Sequence, residues 1–594
     1  MKKNYVFFVS FLVVVLFSLS LVMQSCKKSG SFLAATTTTN LTQATVFADS
    51  ARTMGFLANI YANIEFNVDA RRFGNGGLDA ACDESEPSST NATDASGFAT
   101  GTINAGTVSN RVYSTCYTQI RAVNLLLANI SLTKMQSANK VPVIAEARFL
   151  RAWFYGILLE HYGGVPLIGD SLYNYTTPIV VKRATFAATV NYIVSECDAV
   201  QPILPITQGG LKLGRASGGA CLALKARILL YAASPLFNGT TLPTDAGPSS
   251  SGTVDPALVG YPTADATRWQ LAENAALAVI SSGAFSLSTI PASSNQASLP
   301  GAGFQGVFTI RDPNPEYIFA YMTNPNGDLE NDFLPPSRSG GGGGAFPYQD
   351  MVDAFPMSNG KLITDPTSGY DPTNPYNNRD PRMNFSIIHD QTVLLLRNSN
   401  GQPVGSGPVN IYLGLGNDQN PDAVHLGTVT GYYCNKMLDP NVVSQSLATK
   451  SNRCIPLMRY AEVLLNYAEA ANEFEGPTAN VYNAINSIRQ RAGLNPYQLP
   501  GGLTKSDMRT YIQNERRIEL AYEGHRFWDV RRWKIASTTE NIQAQGMEVN
   551  KTATTTTYKL FNVTKHNFRP AMYLWPFPIS ETGKSPTLIQ NPGY

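Results

Sequence analysis

Residues 515–533, ERRIELAYEGHRFWDVRRW, hold the densest set of groups able to do chemistry. Glu515 and Glu519 stand four residues apart, His525 follows, and Arg516, Arg517, Arg526, Arg531 and Arg532 surround them. Two carboxylates and an imidazole could run acid–base catalysis, one group giving a proton while another takes it. The same spacing supports a plainer reading. Met508, Tyr511, Ile512, Ile518 and Tyr522 put both glutamates on the apolar stripe of one helix, opened by Thr504 and Asp507 as a capping-box-like start. Like charges one turn apart repel, and a carboxylate on a buried face is costly without a cation. Arg459, Arg489 and Arg491 lie upstream, with Glu462 beside Arg459. We therefore expect a buried ion-pair network of Arg459, Glu462, Arg489, Arg491, Glu515, Glu519, Arg526 and Arg531 that locks this helix to its neighbours. Structural networks perturb proton affinities as catalytic ones do, so the cluster is read as scaffold and no catalytic residue is assigned.

Other patterns carry less. His161, His389, His425, His525 and His566 lack ligand spacing, and neither H-E-x-x-H nor G-x-S-x-G occurs. Asp328, Glu330 and Asp332 alternate like calcium-loop ligands, but Phe333 and Ser339 stand where an EF-hand needs glycine and a bidentate glutamate. A solvated acidic turn is expected there. Residues 340–344 are five glycines without the Gly-Lys-Ser/Thr of a phosphate loop, pointing to a hinge or loop tip. No C-x-x-C pair occurs among seven cysteines; Cys434 with Cys454 is one of several pairings open in an oxidising compartment. No metal and no cofactor are assigned. A net charge of +2, with 15% charged residues and no basic cluster among aromatics, argues against nucleic acid.

The positioning elements read as helices. Segments 47–64 and 111–130 form one candidate pair, 145–168 and 186–204 a second, 214–238 and 268–287 a third, 456–475 and 478–492 a fourth. Small residues recur on the packing faces, and stacked pairs bury faces that no single pair could bury alone. A long polar stretch, 67–106, separates the first two helices; loops of this length are functional or disordered. Residues 288–455 are loop-rich, and NPEYIFAYM (314–322) alternates as a strand does, its aromatics serving as core or as a binding platform.

At the N-terminus, Met1, Lys2 and Lys3 precede a nearly unbroken apolar run over 5–23, and Ser25-Cys26 follows. The run is long enough to span a membrane. A small residue before a cysteine fits lipoprotein processing, in which the Cys26 thiol takes the lipid. The expected layout is signal peptide 1–25, lipidated cysteine and tether 26–43, helical-repeat region 44–290, and a C-terminal region 291–594 forming one compact unit with it.

The 515–533 stretch resembles the signature of the SusD/RagB family, outer-membrane nutrient-binding lipoproteins of Bacteroidetes-type bacteria. RYAEVLLNYAEAANEFEG (459–476), INSIRQRAGL (485–494), the Arg-Asp-Pro-Arg of 379–382 and LWPFPISETGKSPTLIQNPGY (574–594) are similar to further family blocks. The resemblance implies a mainly α fold, a tetratricopeptide-like helical-repeat superhelix packed against a loop-rich region with a few short strands. Asp380 is expected to cap a turn, and Arg379 and Arg382 to pair with carboxylates of the helical half. The implied function is binding of a nutrient, an oligosaccharide or a peptide, without catalysis. The implied partner is a SusC-like TonB-dependent barrel, and the implied place is the outer membrane, lipid-anchored and facing the exterior. Sugar recognition uses aromatic faces with amide, carboxylate and guanidinium partners. Trp153, Trp269, Trp528, Trp533 and Trp575 fall in helices or family blocks and read as structural. The ligand contacts are therefore expected on loops, from Phe73, Phe98 and Phe304 with Arg71, Arg72, Asn75 and Asn91. Two other classes stay open: an envelope glycan-processing enzyme, and a repeat protein that binds only protein partners.

Overall fold

Helices begin where the sequence supplies caps. Thr185 and Ser217 accept hydrogen bonds from the backbone N–H groups of Ala188 and Ala220, and Thr504 and Asp507 cap each other reciprocally. Gly163, at φ 76°, ends the long helix Ser137–Tyr162 in a conformation that favours glycine. The computed structural model describes residues 42–66, 69, 76–88, 93–174, 180–341, 344–446 and 448–594.

The helices Ser50–Tyr61, Arg111–Asn129, Ser137–Tyr162, Phe186–Val200, Gly218–Ala233 and Thr267–Ser281 pack in succession, each against the next. Thr267–Ser281 then packs on Tyr460–Glu475, which in turn holds Ala479–Arg491 and Lys505–Glu519. All four pairs expected from the sequence are in contact, and stacking joins them into one superhelix. Small residues set the spacing: a Cβ on Gly156 would sit 3.5 Å from Leu224 and Ile228 of the facing helix. The main hydrophobic core runs from Phe47 through Leu588, so the two ends of the chain share it.

The loop-rich part is pinned by two-stranded antiparallel sheets. Strand Tyr317–Met322 pairs with Cys454–Arg459, joining the two ends of that part and delivering Arg459 to the start of helix Tyr460–Glu475. This strand does not alternate between core and solvent: Tyr317, Ile318, Phe319 and Ala320 are all buried, with Phe319 against Phe149 and Trp153. Tyr317 and Phe319 are core, while Tyr321 is half-buried and lines a cavity with Tyr61 and Met322. The expected solvated acidic turn is instead helix Asp328–Phe333, where Glu330 is fully buried and paired with Arg453. Cys434 and Cys454 are separate buried thiols, as are Cys82, Cys116, Cys197 and Cys221.

Helix Ala302–Thr309 is seated unusually close to the segment before it. A Cβ on Gly306 would lie 1.7 Å from the carbonyl oxygen of Ile290, and one on Gly303 2.6 Å from Thr289 Cα. Backbone cannot yield as a flexible side chain does. Gly306→Ala is therefore expected to cost on the order of 2–3 kcal/mol, read as a lower Tm in thermal unfolding. An unchanged Tm would show that this helix is not held at that separation.

Candidate functional site

Helix Lys505–Glu519 carries the paired glutamates, and arginines from distant segments converge on them. Arg382 Nη1 donates to Glu515 Oε1 at 2.6 Å and to Glu519 Oε2 at 2.9 Å, while its other nitrogens grip Asp380. Arg459 Nη1 donates to Glu519 Oε1 and to Glu316 Oε1, both at 2.7 Å, and its remaining nitrogens hold Glu523. Arg491 bridges Glu316 and Glu519. Lys436 completes the cluster, 3.0 Å from Glu523 and donating to the carbonyl of Glu519. Burial by itself would raise the Glu519 carboxyl, but Arg491, Arg459 and Arg382 hold it at about 2.

Further pairs surround this centre. Glu462 takes two bonds from Arg227, Asp83 two from Arg526, and Glu540 two from Arg531, whose guanidinium also stacks 3.5 Å from the Phe527 ring centroid. Arg489 is the weakest member, 3.6 Å from Glu515 and donating mainly to the Tyr497 carbonyl. Asp380 caps helix Pro381–Ser386 as expected. Arg379 differs from expectation: among the described residues it meets no carboxylate, and it donates to the carbonyls of Val352, Phe355 and Pro375. His525, which a catalytic reading would need, is driven by burial to about 4 and is neutral near pH 7. The arrangement is a charge-neutralised clamp. Glu316, Glu523, Lys436, Asp83 and Arg227 are members that spacing alone did not reveal.

The expected ligand contacts fare differently. Arg71, Arg72, Phe73, Asn75, Asn91 and the lipidation residue Cys26 lie outside the described residues. Phe98 is no loop residue; it sits on helix Thr93–Thr100, buried against Phe527 and Trp575. Phe304 lies in helix Ala302–Thr309, fully buried, with the Lys436 ammonium 4.4 Å from its ring centroid. Neither offers a face to a sugar. Trp153, Trp528, Trp533 and Trp575 are buried and structural.

An open cleft of about 630 Å³ lies beside the clamp. Its walls come from the turn at 293–299, from Gln305, from Asn384 and Phe385, from the hairpin Val393–Arg397/Pro403–Pro408, and from 435–442. The clamp positions each inner wall. Arg382 fixes the short helix that bears Asn384 and Phe385, Lys436 adjoins Asn435, and Phe304 under Lys436 and Arg491 adjoins Gln305. The lining mixes amide side chains with a larger apolar surface that includes Phe385, Leu395 and Leu438. Such a surface suits a ligand with many hydroxyls and exposed C–H faces. Only Gln305 among these could have been noticed beforehand, as a lone amide inside the apolar run AGFQGVFT.

Residues 314–594 match the family model described as the SusD family, and 47–230 match the one described as "Starch-binding associating with outer membrane". SusD-like protein P2 of Formosa agariphila is 34% identical over 150 residues, covering 24% of this chain and 26% of that protein, and P25 of the same organism is 32% identical over 136 residues, 23% of each. The matched segments thus span about a quarter of these curated relatives. A SusD-like protein from Bacteroides fragilis superposes with TM-score 0.72 at 24% identity, over 92% of this chain and 98% of that one. Surface glycan-binding protein A from Bacteroides fluxus superposes with TM-score 0.58 at 19% identity, over 92% and 99%. Fold, clamp and paired matches define a helical-repeat binding scaffold, and the chain belongs to the SusD/RagB family.

Arg382→Met would take from Asp380 its cation and from Glu515 and Glu519 one of theirs, and is expected to cost about 3–5 kcal/mol, measured by denaturant unfolding; a change near zero would contradict the clamp. Because Glu519 and Glu462 are held at about 2, below the roughly 4.3 of an unfolded glutamate, their stabilisation is complete above the unfolded value. It is lost as pH falls from there towards about 2. A pH series of Tm should show that loss, and Glu519→Gln should flatten it.

Proposed function

We propose that the protein is a lipid-anchored glycan-binding protein of the outer membrane that holds oligosaccharides for a SusC-like TonB-dependent barrel, without altering them. The observation that carries this reading is the cleft, open to solvent, lined by amides and apolar side chains, whose inner segments adjoin the ion-pair clamp. Hydroxyl-rich ligands exchange hydrogen bonds with water for bonds to amides at little net cost when those amides are already positioned. The carboxylates that a hydrolytic reading would use, Glu515 and Glu519, are instead occupied by arginines. Family membership supports the same reading, through a matching description that names starch binding and outer-membrane association and a relative of the same fold named for glycan binding. The barrel partnership rests on that family membership, and the exterior placement with it.

Two measurements test this. The full-length chain in detergent, applied to arrayed soluble glycans with product analysis, is expected to retain at least one and return it intact; new reducing ends would contradict a binding role. Metabolic labelling with palmitate should mark the wild-type protein and not Cys26→Ala, and equal labelling of both would place the lipid elsewhere or nowhere.

A further inference from the structure

The cleft contains an acceptor that packing does not explain. Gln305 is only 6% exposed, it borders the cleft, and its Oε1 has no hydrogen-bond partner. Its neighbours on the same short helix, Phe304, Val307 and Phe308, are apolar and buried, so a leucine would serve packing there better. A buried amide oxygen without a donor is a standing penalty, and such groups call for a reason. Gln296, which lines the same cleft from the turn at 293–299, carries a second buried and unpartnered Oε1. Two orphan acceptors ask for a ligand that brings donors.

Charge narrows the ligand further. Among the described residues Asp439 is the one acidic side chain in the lining, and its Oδ1 accepts from both the backbone N–H and the side-chain amide of Asn441, each at 3.0 Å. It spends itself on shaping the wall, since Asn441 also reaches the Ala292 carbonyl at 3.2 Å. Among the described residues no lysine or arginine lines the cleft to pair a carboxylate or sulfate. His389 is stacked on Tyr376 with its ring nitrogens against the Asp390 carbonyl and Asn384 Oδ1, and burial lowers its proton affinity. Two further amides of the lining are oriented through their nitrogens. Gln391 Nε2 donates to Asn410 at 2.9 Å and Asn435 Nδ2 to the Asn384 carbonyl at 2.8 Å, which leaves an oxygen on each for a ligand.

We propose that this cleft takes uncharged oligosaccharides, with the Gln305 and Gln296 side-chain oxygens accepting hydrogen bonds from sugar hydroxyls. The proposal rests on the glycan-binding reading above and gives it a site and a ligand class. An anionic glycan would meet unpaired acceptors and a carboxylate. A cationic peptide would find the Asp439 carboxylate already engaged. A neutral glycan supplies donors at both orphan oxygens and C–H surface for Phe385 and Leu438.

The test is calorimetric titration of the full-length protein with neutral malto-, cello-, xylo- and manno-oligosaccharides and with anionic oligogalacturonate and alginate fragments. Wild type, Gln305→Leu and Gln296→Leu are compared, each with its Tm. The expected result is binding of at least one neutral series and of neither anionic one, weakened about tenfold in Gln305→Leu while Tm holds or rises. A rise in stability with a loss of affinity is what a purely structural glutamine would not give. Should Gln305→Leu fail to fold, Gln296→Leu, on a surface turn, carries the same comparison. Unchanged neutral-glycan affinity in both variants would overturn the site while leaving the protein a glycan binder. Binding of anionic fragments alone would overturn the ligand class, and no binding of either kind by wild type would overturn both this proposal and the reading beneath it.

Discussion

Glu519 is a carboxylate with no solvent exposure, gripped by Arg382, Arg459 and Arg491. A buried charge of this kind is tolerated only when its partners arrive in good geometry and their own remaining nitrogens are satisfied. Here the partners come from three separate parts of the chain and meet on the signature helix: the short helix after Asp380, the end of strand Cys454–Arg459, and the end of helix Ala479–Arg491. Glu316 and Glu523 then neutralise what Glu519 leaves over. An arrangement so intolerant of displacement fixes register more than it adds net stability. Hydrophobic side chains of the same volume could have filled the space, but they would not have specified which segment goes where.

What that register achieves is seen one layer out. The cleft is built from segments with little regular structure, and loops of that kind are ordinarily the least constrained parts of a protein. In this chain each inner wall is attached to a cation of the clamp. Asn384 and Phe385 follow Arg382, Asn435 precedes Lys436, and Gln305 follows Phe304, whose ring lies under Lys436 and Arg491. The close seating of Gly303 and Gly306 against 288–290 holds the same floor from its other side. A binding surface made of loops is thereby given the rigidity of the helical scaffold, which is what positioned amides need if they are to bind hydroxyls without first being ordered.

The superhelix was legible in the sequence because its signals are local. Caps such as Thr504 with Asp507 and the spacing of small and apolar residues each act within one or two turns. That Glu515 and Glu519 need arginines was legible too, as charges on an apolar stripe. Which arginines, and in what combination, was legible only in part: Glu316 lies 143 residues from Arg459 and Arg382 lies 137 from Glu519, distances over which spacing carries no information. Phe98 and Phe304 were misread as loop aromatics because Gly- and Ala-rich surroundings look like turns. In AGFQGVFT those glycines instead allow a short helix to press against backbone. Glu330 was misread for the converse reason, since its partner Arg453 enters from 123 residues away. The cleft itself left almost no trace, because its amides come from five segments and only the fold assembles them.

Hydrogen exchange of the full-length protein with and without a bound neutral oligosaccharide tests the central claim most directly. If the clamp presents a preformed cleft, amides in 293–299, 302–309 and 391–397 will exchange more slowly with ligand, while those of helix Lys505–Glu519, already protected, will not change. Protection confined to the helices before residue 288, or a large new protection of the signature helix, would contradict a cleft held ready by that network.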